Sequence, residues 1–255
     1  MTDVQRTALV TGAAGGIGRA IAHALADGGH RVAILDVDEA GLSQTAASGS
    51  GEFRAYRADV TDAAAVASVA NLVATTWSVP HVVVNAAGIS TMAHLVDISE
   101  DDWDATMAVN AKGTFLVLKA VLPAMITQRG GSVINIASVA GIEGAELLSH
   151  YSASKFAVVG LTQAAAKEVA AFGVRVNAVC PGLIHTPMQD REVAWEAELS
   201  GGTPDQIRQG YVDMTPIGRL GSPQDVARLV TFLASDYSDF ITGQSIHVDG
   251  GLRMR

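Results

Sequence analysis

The chain alternates between two hydrophobic patterns along its length. Short apolar runs rich in β-branched residues, such as the one at 132–137, alternate with longer Ala-rich stretches. Continuous apolar runs are typical of parallel strands that are covered on both faces, and the longer stretches are typical of helices. The predicted strands lie at 7–11, 31–36, 52–58, 81–85, 132–137, 174–180 and 245–248, and the predicted helices at 16–28, 38–47, 62–76, 100–128, 150–172 and 222–235.

This order of strands and helices predicts an α/β fold in which helices flank a doubly wound parallel sheet. A chain of 255 residues can bury one such core without splitting, so we expect a single domain over 1–255. The rhythm breaks between 182 and 221, where prolines and glycines separate the sixth strand from the last long helix. Because long insertions are often functional lids, we expect a mobile substrate flap at about 187–215.

Composition excludes several classes of partner and site. The net charge of −9 and the absence of a basic cluster argue against nucleic acid. No stretch has the roughly 18 apolar residues that a membrane span needs, so no membrane partner is expected. The histidines are scattered and have no cysteine partner, so no metal site is predicted. The single Cys180 fits a reducing cytoplasm and is interpreted as a small buried hydrophobe.

A glycine cluster follows the first predicted strand and opens the first predicted helix. Glycines let the backbone approach a pyrophosphate, and a helix N-terminus supplies unpaired N–H groups with a partial positive charge. The cluster therefore predicts a dinucleotide site. Its members are Gly12, Gly15, Gly16, Ile17 and Gly18.

Asp36, at the end of the second predicted strand, bears on the choice of cofactor. A carboxylate there can accept hydrogen bonds from both hydroxyls of the adenosine ribose and would repel a 2′-phosphate. NAD is therefore preferred over NADP, although Arg19 is a nearby cation that would suit NADP. The alternative interpretation of Asp36 is a turn or helix-cap acid.

Two further segments end predicted strands at the edge where open α/β sheets bind ligands. Asp59 and Val60 could flank adenine, and Asn85, Ala86 and Gly88 form a small-residue turn. Both segments could also be plain turns.

Tyr151 and Lys155 lie four residues apart on a predicted helix, and Ser138 ends the strand before it. Oxidation of an alcohol by hydride transfer requires removal of the hydroxyl proton. The pKa of free tyrosine, near 10, is about three units too high for a good base at neutral pH, or roughly 4 kcal/mol. A Lys ammonium about 4 Å away is worth roughly 4 kcal/mol at an effective dielectric constant of 20. The pair could therefore act as an acid/base.

Together these motifs resemble the short-chain dehydrogenase/reductase family, and the resemblance covers essentially the whole chain. They are Thr11-Gly-x-x-x-Gly-x-Gly18, Asn85-Ala-Ala-Gly88, Asn110, Ser138, Tyr151-x-x-x-Lys155, Pro181-Gly182 and Asp249-Gly-Gly251. The resemblance implies a Rossmann-type fold and a homotetramer assembled through two long helices and the C-terminal region.

The resemblance also implies a role for each site residue. Tyr151 would be the acid/base, Lys155 would hold the nicotinamide ribose and lower the tyrosine pKa, and Ser138 would orient the substrate oxygen. Asn110 would anchor a water through which protons reach Lys155. The nicotinamide carboxamide would be held by Ile184 and Thr186, which follow Pro181 and Gly182.

The sequence leaves several substrate classes possible. Segments 151–163 and 181–188 look most like acetoin/2,3-butanediol dehydrogenases, whereas 218–225 and 241–245 are shared with 3-oxoacyl-carrier-protein reductases, which usually favour NADP. Val139 and Ala140 follow Ser138 where small-diol members often have polar residues, so a bulkier apolar carbonyl compound is also possible. A non-catalytic, nucleotide-sensing protein is the remaining alternative.

Overall fold

The computed structural model describes residues 5–254, which form one seven-stranded sheet with helices on both faces. All neighbouring strands are parallel, and their order is β3-β2-β1-β4-β5-β6-β7. The doubly wound single-domain fold predicted from the sequence is confirmed. The outermost residues of the predicted domain, 1–4 and 255, lie outside the described residues.

The predicted strands form within one or two residues of their predicted ends. The strands are β1 Thr7–Thr11, β2 Arg31–Asp36, β3 Phe53–Arg57, β4 Val82–Asn85, β5 Gly131–Ile136, β6 Val174–Pro181 and β7 Ser245–Val248. The helices are α1 Gly16–Asp27, α2 Glu39–Ser48, α3 Ala63–Thr76, α4 Glu100–Thr106, α5 Thr114–Gln128, α6 Ser149–Val169, α7 Pro187–Ser200, α8 Pro204–Met214 and α9 Pro223–Ala234.

Each inner strand contributes side chains to two separate cores. In β1, Ala8 and Val10 pack with α1 and α9, whereas Leu9 packs on the opposite face with α3, α5 and α6. Successive strand residues point to opposite faces, so a strand covered on both sides must be apolar at every position. This requirement explains the continuous apolar runs in the sequence.

The strand order reverses between β1 and β4, which puts the ligand crevice at their carboxyl ends. Thr11 and Asn85 are paired in register there. Thr11 Oγ1 also accepts hydrogen bonds from the backbone N–H groups of Ala86 and Ala87, each at 3.2 Å. The glycine turn after β1 and the small-residue turn after β4 are thereby joined.

The predicted helix at 100–128 forms, but its winding changes in the middle. A π-helical segment, Met107–Gly113, separates α4 from α5 and contains Asn110. Such segments are rare and often lie at functional sites.

The same continuous helix, Glu100–Gln128, is long and apolar enough to cross a membrane by length and composition, and an 18-residue stretch of it has a mean hydropathy of 1.4. The expectation that no stretch could do so is wrong in that respect. The cause is that few charged residues interrupt α5, whose inner face packs into the core with α3 and α6. The absence of a membrane partner stays a prediction.

The insertion between β6 and α9 folds into α7 and α8, which the sequence analysis did not predict. Each helix has a threonine N-cap followed by proline: Thr186 accepts from the N–H of Gln189, and Thr203 forms a capping box with Gln206. This order of residues is a recognised helix start. A parallel bridge between Ile184 and Gly221 closes the insertion at its base. Its mobility as a flap stays a prediction.

Candidate active site

The glycine turn brings the start of α1 against the end of β4. Gly12 has a φ of +66°, and a Cβ placed on it would lie 2.6 Å from backbone atoms of Ala87. A Cβ on Gly18 would lie 2.1 Å from the carbonyl oxygen of Gly12. Gly15 is different, since it has extended backbone and a Cβ there would meet nothing within 4 Å. The turn therefore leaves open backbone at a helix N-terminus, which fits a pyrophosphate.

Asp36 is held in place at the end of β2 by two backbone N–H groups. Its Oδ2 accepts from Ala14 at 3.0 Å, and its Oδ1 accepts from Asp38 at 3.1 Å. The N-cap of α2 is Asp38, so Asp36 is not the helix cap. Each oxygen of a carboxylate can accept more than one hydrogen bond, so these contacts orient the group and leave it able to accept from a ligand.

Arg19, the cation that would suit NADP, is engaged by the protein. Its Nε donates to Thr45 Oγ1 at 3.0 Å, and one terminal nitrogen donates to Gln44 Oε1 at 2.8 Å and to the carbonyl of Ala14. These contacts tie the guanidinium to α2 and to the glycine turn. A 2′-phosphate would have to compete with them.

The predicted adenine and small-residue segments lie at the expected edge. Asp59 accepts from the N–H of Thr61 at 2.8 Å, so its carboxylate shapes a turn, and Val60 is buried. Asn85 is also buried, and its amide donates to Asn135 at 2.8 Å. A Cβ on Gly88 would lie 3.5 Å from Lys155 Nζ, so the turn after β4 approaches α6 closely.

Three of the predicted catalytic side chains converge at the carboxyl ends of β5 and β6. Lys155, 4% exposed on α6, donates from Nζ to the carbonyl of Ile136 at 2.9 Å. Its Nζ is 5.5 Å from the centre of the Tyr151 ring. Ser138 follows β5 and shares a side-chain hydrogen bond with Tyr151. The i, i+4 spacing of Tyr151 and Lys155 therefore puts both on the face of α6 that meets the sheet edge.

Asn110 packs beside this group from the π-helical segment. Its Nδ2 donates to Ser154 Oγ and to the carbonyl of Ile89, each at 3.0 Å, and its Oδ1 accepts from the N–H of Ile89 at 2.9 Å. The side chain thus holds the segment after β4 against α6. Its predicted role toward a water stays a prediction.

Burial acts in opposite directions on Tyr151 and Lys155. It raises the pKa of Tyr151, to which the charge of Glu192 adds, while the hydrogen bond from Ser138 lowers it. Burial lowers the pKa of Lys155 to about 8. The predicted effect of Lys155 on the tyrosine pKa stays a prediction.

The exit from β6 reaches the glycine turn. A Cβ on Gly182 would lie 2.7 Å from the Cβ of Asp249, so Pro181 and Gly182 run close to the C-terminal Asp-Gly-Gly segment. Thr186 caps α7, and its methyl group lies 3.7 Å from the Cβ position of Gly16. Pro181, Ile184 and Thr186 are thus at the same edge as the predicted cofactor residues.

Sequence reasoning missed two residues that enter this site from the insertion and from the segment after β4. Ser90 Oγ donates to Glu192 Oε1 at 2.5 Å. Glu192 lies on α7, and its charge raises the pKa of Tyr151. The two residues are 102 positions apart, and neither belongs to a local motif. Only the tertiary structure could pair them.

The remaining cysteine and the metal-ligating residue types of the described part of the chain add no second centre. Cys180 is fully buried, as predicted, and burial raises its pKa to about 11. Within residues 5–254, no group of three or more His, Cys, Asp or Glu side chains could hold a metal ion.

Comparisons with known proteins agree with this geometry. A family model described as "Enoyl-(Acyl carrier protein) reductase" matches residues 12–253. The human (3R)-3-hydroxyacyl-CoA dehydrogenase is 43% identical over 97% of this chain and 95% of its own length. The 3-oxoacyl-[acyl-carrier-protein] reductase FabG of Thermotoga maritima is 40% identical over 97% of both chains.

A solved structure has the same fold over nearly the whole chain. The crystal structure of NAD+-bound xylitol dehydrogenase superposes with a TM-score of 0.94 at 34% identity, and the match covers 98% of this chain and 100% of that one. With the glycine turn and the Ser138, Tyr151 and Lys155 cluster, these matches assign the chain to the short-chain dehydrogenase/reductase family, as an oxidoreductase that acts on hydroxyl and keto groups.

Proposed function

We propose that the protein interconverts a secondary alcohol and a ketone with NAD as cofactor and Tyr151 as the acid/base. The observation that carries this proposal is the side-chain hydrogen bond between the half-buried Tyr151 and Ser138, with Lys155 on the same helix face. A phenol and a hydroxyl side by side can both contact one substrate oxygen.

In oxidation, Ser138 holds the substrate hydroxyl and Tyr151 removes its proton. In reduction, the phenol of Tyr151 returns that proton to the ketone oxygen. A bound nicotinamide supplies the hydride chemistry, and its oxidised ring is positively charged. Burial raises the pKa of Tyr151 and so opposes ionisation of the phenol. The positive charge of an oxidised nicotinamide would favour ionisation, and it would be present when the enzyme begins to oxidise an alcohol.

The preference for NAD rests on Asp36 and Arg19. The Asp36 carboxylate is oriented by backbone N–H groups at the end of β2, where it would meet the adenosine ribose. The Arg19 guanidinium already donates to Thr45 and Gln44. The glycine turn and Thr186 would hold the pyrophosphate and the nicotinamide. The NAD+-bound xylitol dehydrogenase structure supports the same choice.

A second candidate function is reduction of 3-oxoacyl thioesters or oxidation of 3-hydroxyacyl thioesters. It is favoured by the 43% identity to a (3R)-3-hydroxyacyl-CoA dehydrogenase and the 40% identity to FabG. It uses the same catalytic residues, so only the substrate site separates it from the first candidate. A nucleotide-sensing role without turnover is disfavoured because Ser138, Tyr151 and Lys155 are all in place.

The test measures oxidation of NADH and NADPH side by side with diacetyl, acetoin, an aryl ketone and an acetoacetyl thioester. We expect NADH-dependent reduction of diacetyl and acetoin. Turnover restricted to the aryl ketone would indicate an apolar pocket wall at Val139 and Ala140. NADPH-dependent reduction of the thioester alone would contradict the role given to Asp36.

We also propose a homotetramer in the cytoplasm. Phe115 on α5 and Phe156 on α6 are 44% and 45% exposed, which supports assembly through these helices. Light scattering on the purified protein tests the assembly, and a monomer would contradict it. The single buried thiol of Cys180 suits a reducing compartment.

A further inference from the structure

The insertion brings a carboxylate into the catalytic centre from outside the predicted motifs. Glu192 lies in the second turn of α7, and Ser90 lies in the segment between β4 and α4. Ser90 is 5% exposed, and its hydroxyl donates to Glu192 Oε1 at 2.5 Å. The contact joins the insertion to the segment that Asn110 holds against α6.

This half-buried carboxylate lacks the partners that a charge withdrawn from water usually has. Among residues 5–254, Ser90 is the one group that donates a hydrogen bond to Glu192, and no Lys, Arg or His lies within ion-pair distance of it. Burial raises its pKa, as does the charge of Glu196, while Ser90 and the charge of Arg191 lower it. Burying a carboxylate is costly unless several donors satisfy its oxygens.

The position of Glu192 relates it directly to the reacting group. Next to the serine that donates to Glu192, Thr91 shares a 2.7 Å hydrogen bond with His150, the neighbour of Tyr151, so this segment lies against the start of α6. The negative charge of Glu192 accordingly raises the pKa of Tyr151. A ligand oxygen bound at Tyr151 and Ser138 would therefore have Glu192 nearby as an acceptor of further hydrogen bonds. An anionic ligand group at this place would be repelled.

We propose that Glu192, oriented by Ser90, accepts a hydrogen bond from a second hydroxyl of the substrate. The inference rests on the proposed secondary-alcohol activity and specifies its substrate class. That class comprises neutral vicinal diols and 2-hydroxy ketones. Glu192 is then a specificity-determining residue contributed by α7.

The test compares acetoin with 2-butanone, which lacks the second hydroxyl, in NADH-dependent reduction. Glu192→Gln removes the charge at nearly constant shape. Because a hydrogen bond to a charged group is worth about 1.5–3 kcal/mol, we expect kcat/KM for acetoin to fall about 10- to 100-fold. For 2-butanone, at a pH well below the pKa of Tyr151 so that the phenol is protonated in both proteins, we expect a change of less than about twofold, since no hydrogen bond to Glu192 is lost.

Two further variants separate recognition from folding. Ser90→Ala removes the hydroxyl that donates to Glu192, and it should also lower kcat/KM for acetoin, by a smaller factor. Glu196→Gln is the matched control, because it removes a charge from the same helix one turn away, where the carboxylate accepts from Tyr211 instead. It should leave the acetoin to 2-butanone ratio unchanged.

A pH profile gives an independent measurement. Glu192 raises the pKa of Tyr151, so its neutralisation should move the kinetic pKa for alcohol oxidation to lower pH. A purely structural role would leave that pKa in place.

The outcomes distinguish this inference from the proposed function. If Glu192→Gln lowers kcat/KM equally for acetoin and 2-butanone, or for neither, the role given to Glu192 is wrong, while NADH-dependent ketone reduction still stands. If the wild-type protein reduces the acetoacetyl thioester but neither acetoin nor 2-butanone, the proposed substrate class and the Glu192 assignment both fail.

Discussion

The cofactor end and the substrate end of the site are built by different means. At the cofactor end, glycines bring backbone against backbone: Gly12 abuts Ala87, and Gly18 abuts Gly12. At the substrate end, polar side chains meet across long sequence separations, as the buried Ser90 and the half-buried Glu192 do. The cofactor end depends on residues that have no side chain. The substrate end depends on which side chains the fold brings together.

This difference shows which substitutions each end can accept. A Cβ at a close backbone contact forces the chain to move, whatever the ligand. A changed carboxylate or hydroxyl at the substrate end alters binding and proton transfer with little movement of the backbone. We therefore expect stability effects at the first end and kinetic effects at the second.

The largest expected effect is at the substrate end, at Tyr151. Tyr151→Phe removes the proton-transferring group, so we expect kcat to fall by about 10²- to 10⁴-fold. NADH binding, measured by fluorescence titration, should be retained, because the ring still packs against Lys155. Turnover close to that of the wild-type protein would refute the acid/base assignment.

At the cofactor end, Gly18→Ala should reduce the stability of the whole fold. The new Cβ would stand 2.1 Å from the carbonyl oxygen of Gly12, so the backbone must shift. We expect a loss of about 3 kcal/mol and a Tm lower by roughly 6–12 °C in thermal unfolding.

Gly15→Ala is its matched control. Gly15 has an extended backbone and open space around its Cβ position. We expect an unchanged Tm but weaker NADH binding, because the methyl group would occupy the side that a pyrophosphate approaches. A Tm loss equal to that of Gly18→Ala would show that close packing does not distinguish the two glycines.

Asp36→Ala should change cofactor choice with less effect on turnover. It removes a carboxylate that we expect to accept hydrogen bonds from the adenosine ribose, and with it the repulsion of a 2′-phosphate. The ratio of kcat/KM for NADH to that for NADPH should fall about 10- to 100-fold. An unchanged ratio would mean that Asp36 only shapes the turn through Ala14 and Asp38.

The smallest effect is expected at Cys180, which is buried on β6. Its pKa of about 11 and full burial keep the thiol neutral below that pH. Iodoacetamide at pH 8 should leave the native protein unmodified by mass spectrometry and fully active. Rapid alkylation without unfolding would show that β6 opens more readily than its packing indicates.

Much of the fold was predictable because its signals are local. The apolar runs located the seven strands, and the spacing of Tyr151 and Lys155 correctly put them on one face of α6. The sequence analysis did not predict α7 and α8, because the prolines and glycines of this segment also suit a loop, although proline directly after Thr186 and Thr203 is typical of a helix start. The π-helical winding around Asn110 has no local signal, since it depends on how α4 and α5 pack against α6.

The sequence by itself determined the alternation of strands and helices, the glycine turn and the acid at the end of β2, because each depends on neighbouring residues and on backbone sterics. Only the tertiary structure decided that Arg19 is engaged by α2, that burial raises the pKa of Tyr151, and that Ser90 meets Glu192. These properties depend on distances and burial between remote segments. The order of residues alone does not give these distances or this burial, because both arise when the insertion packs against the sheet.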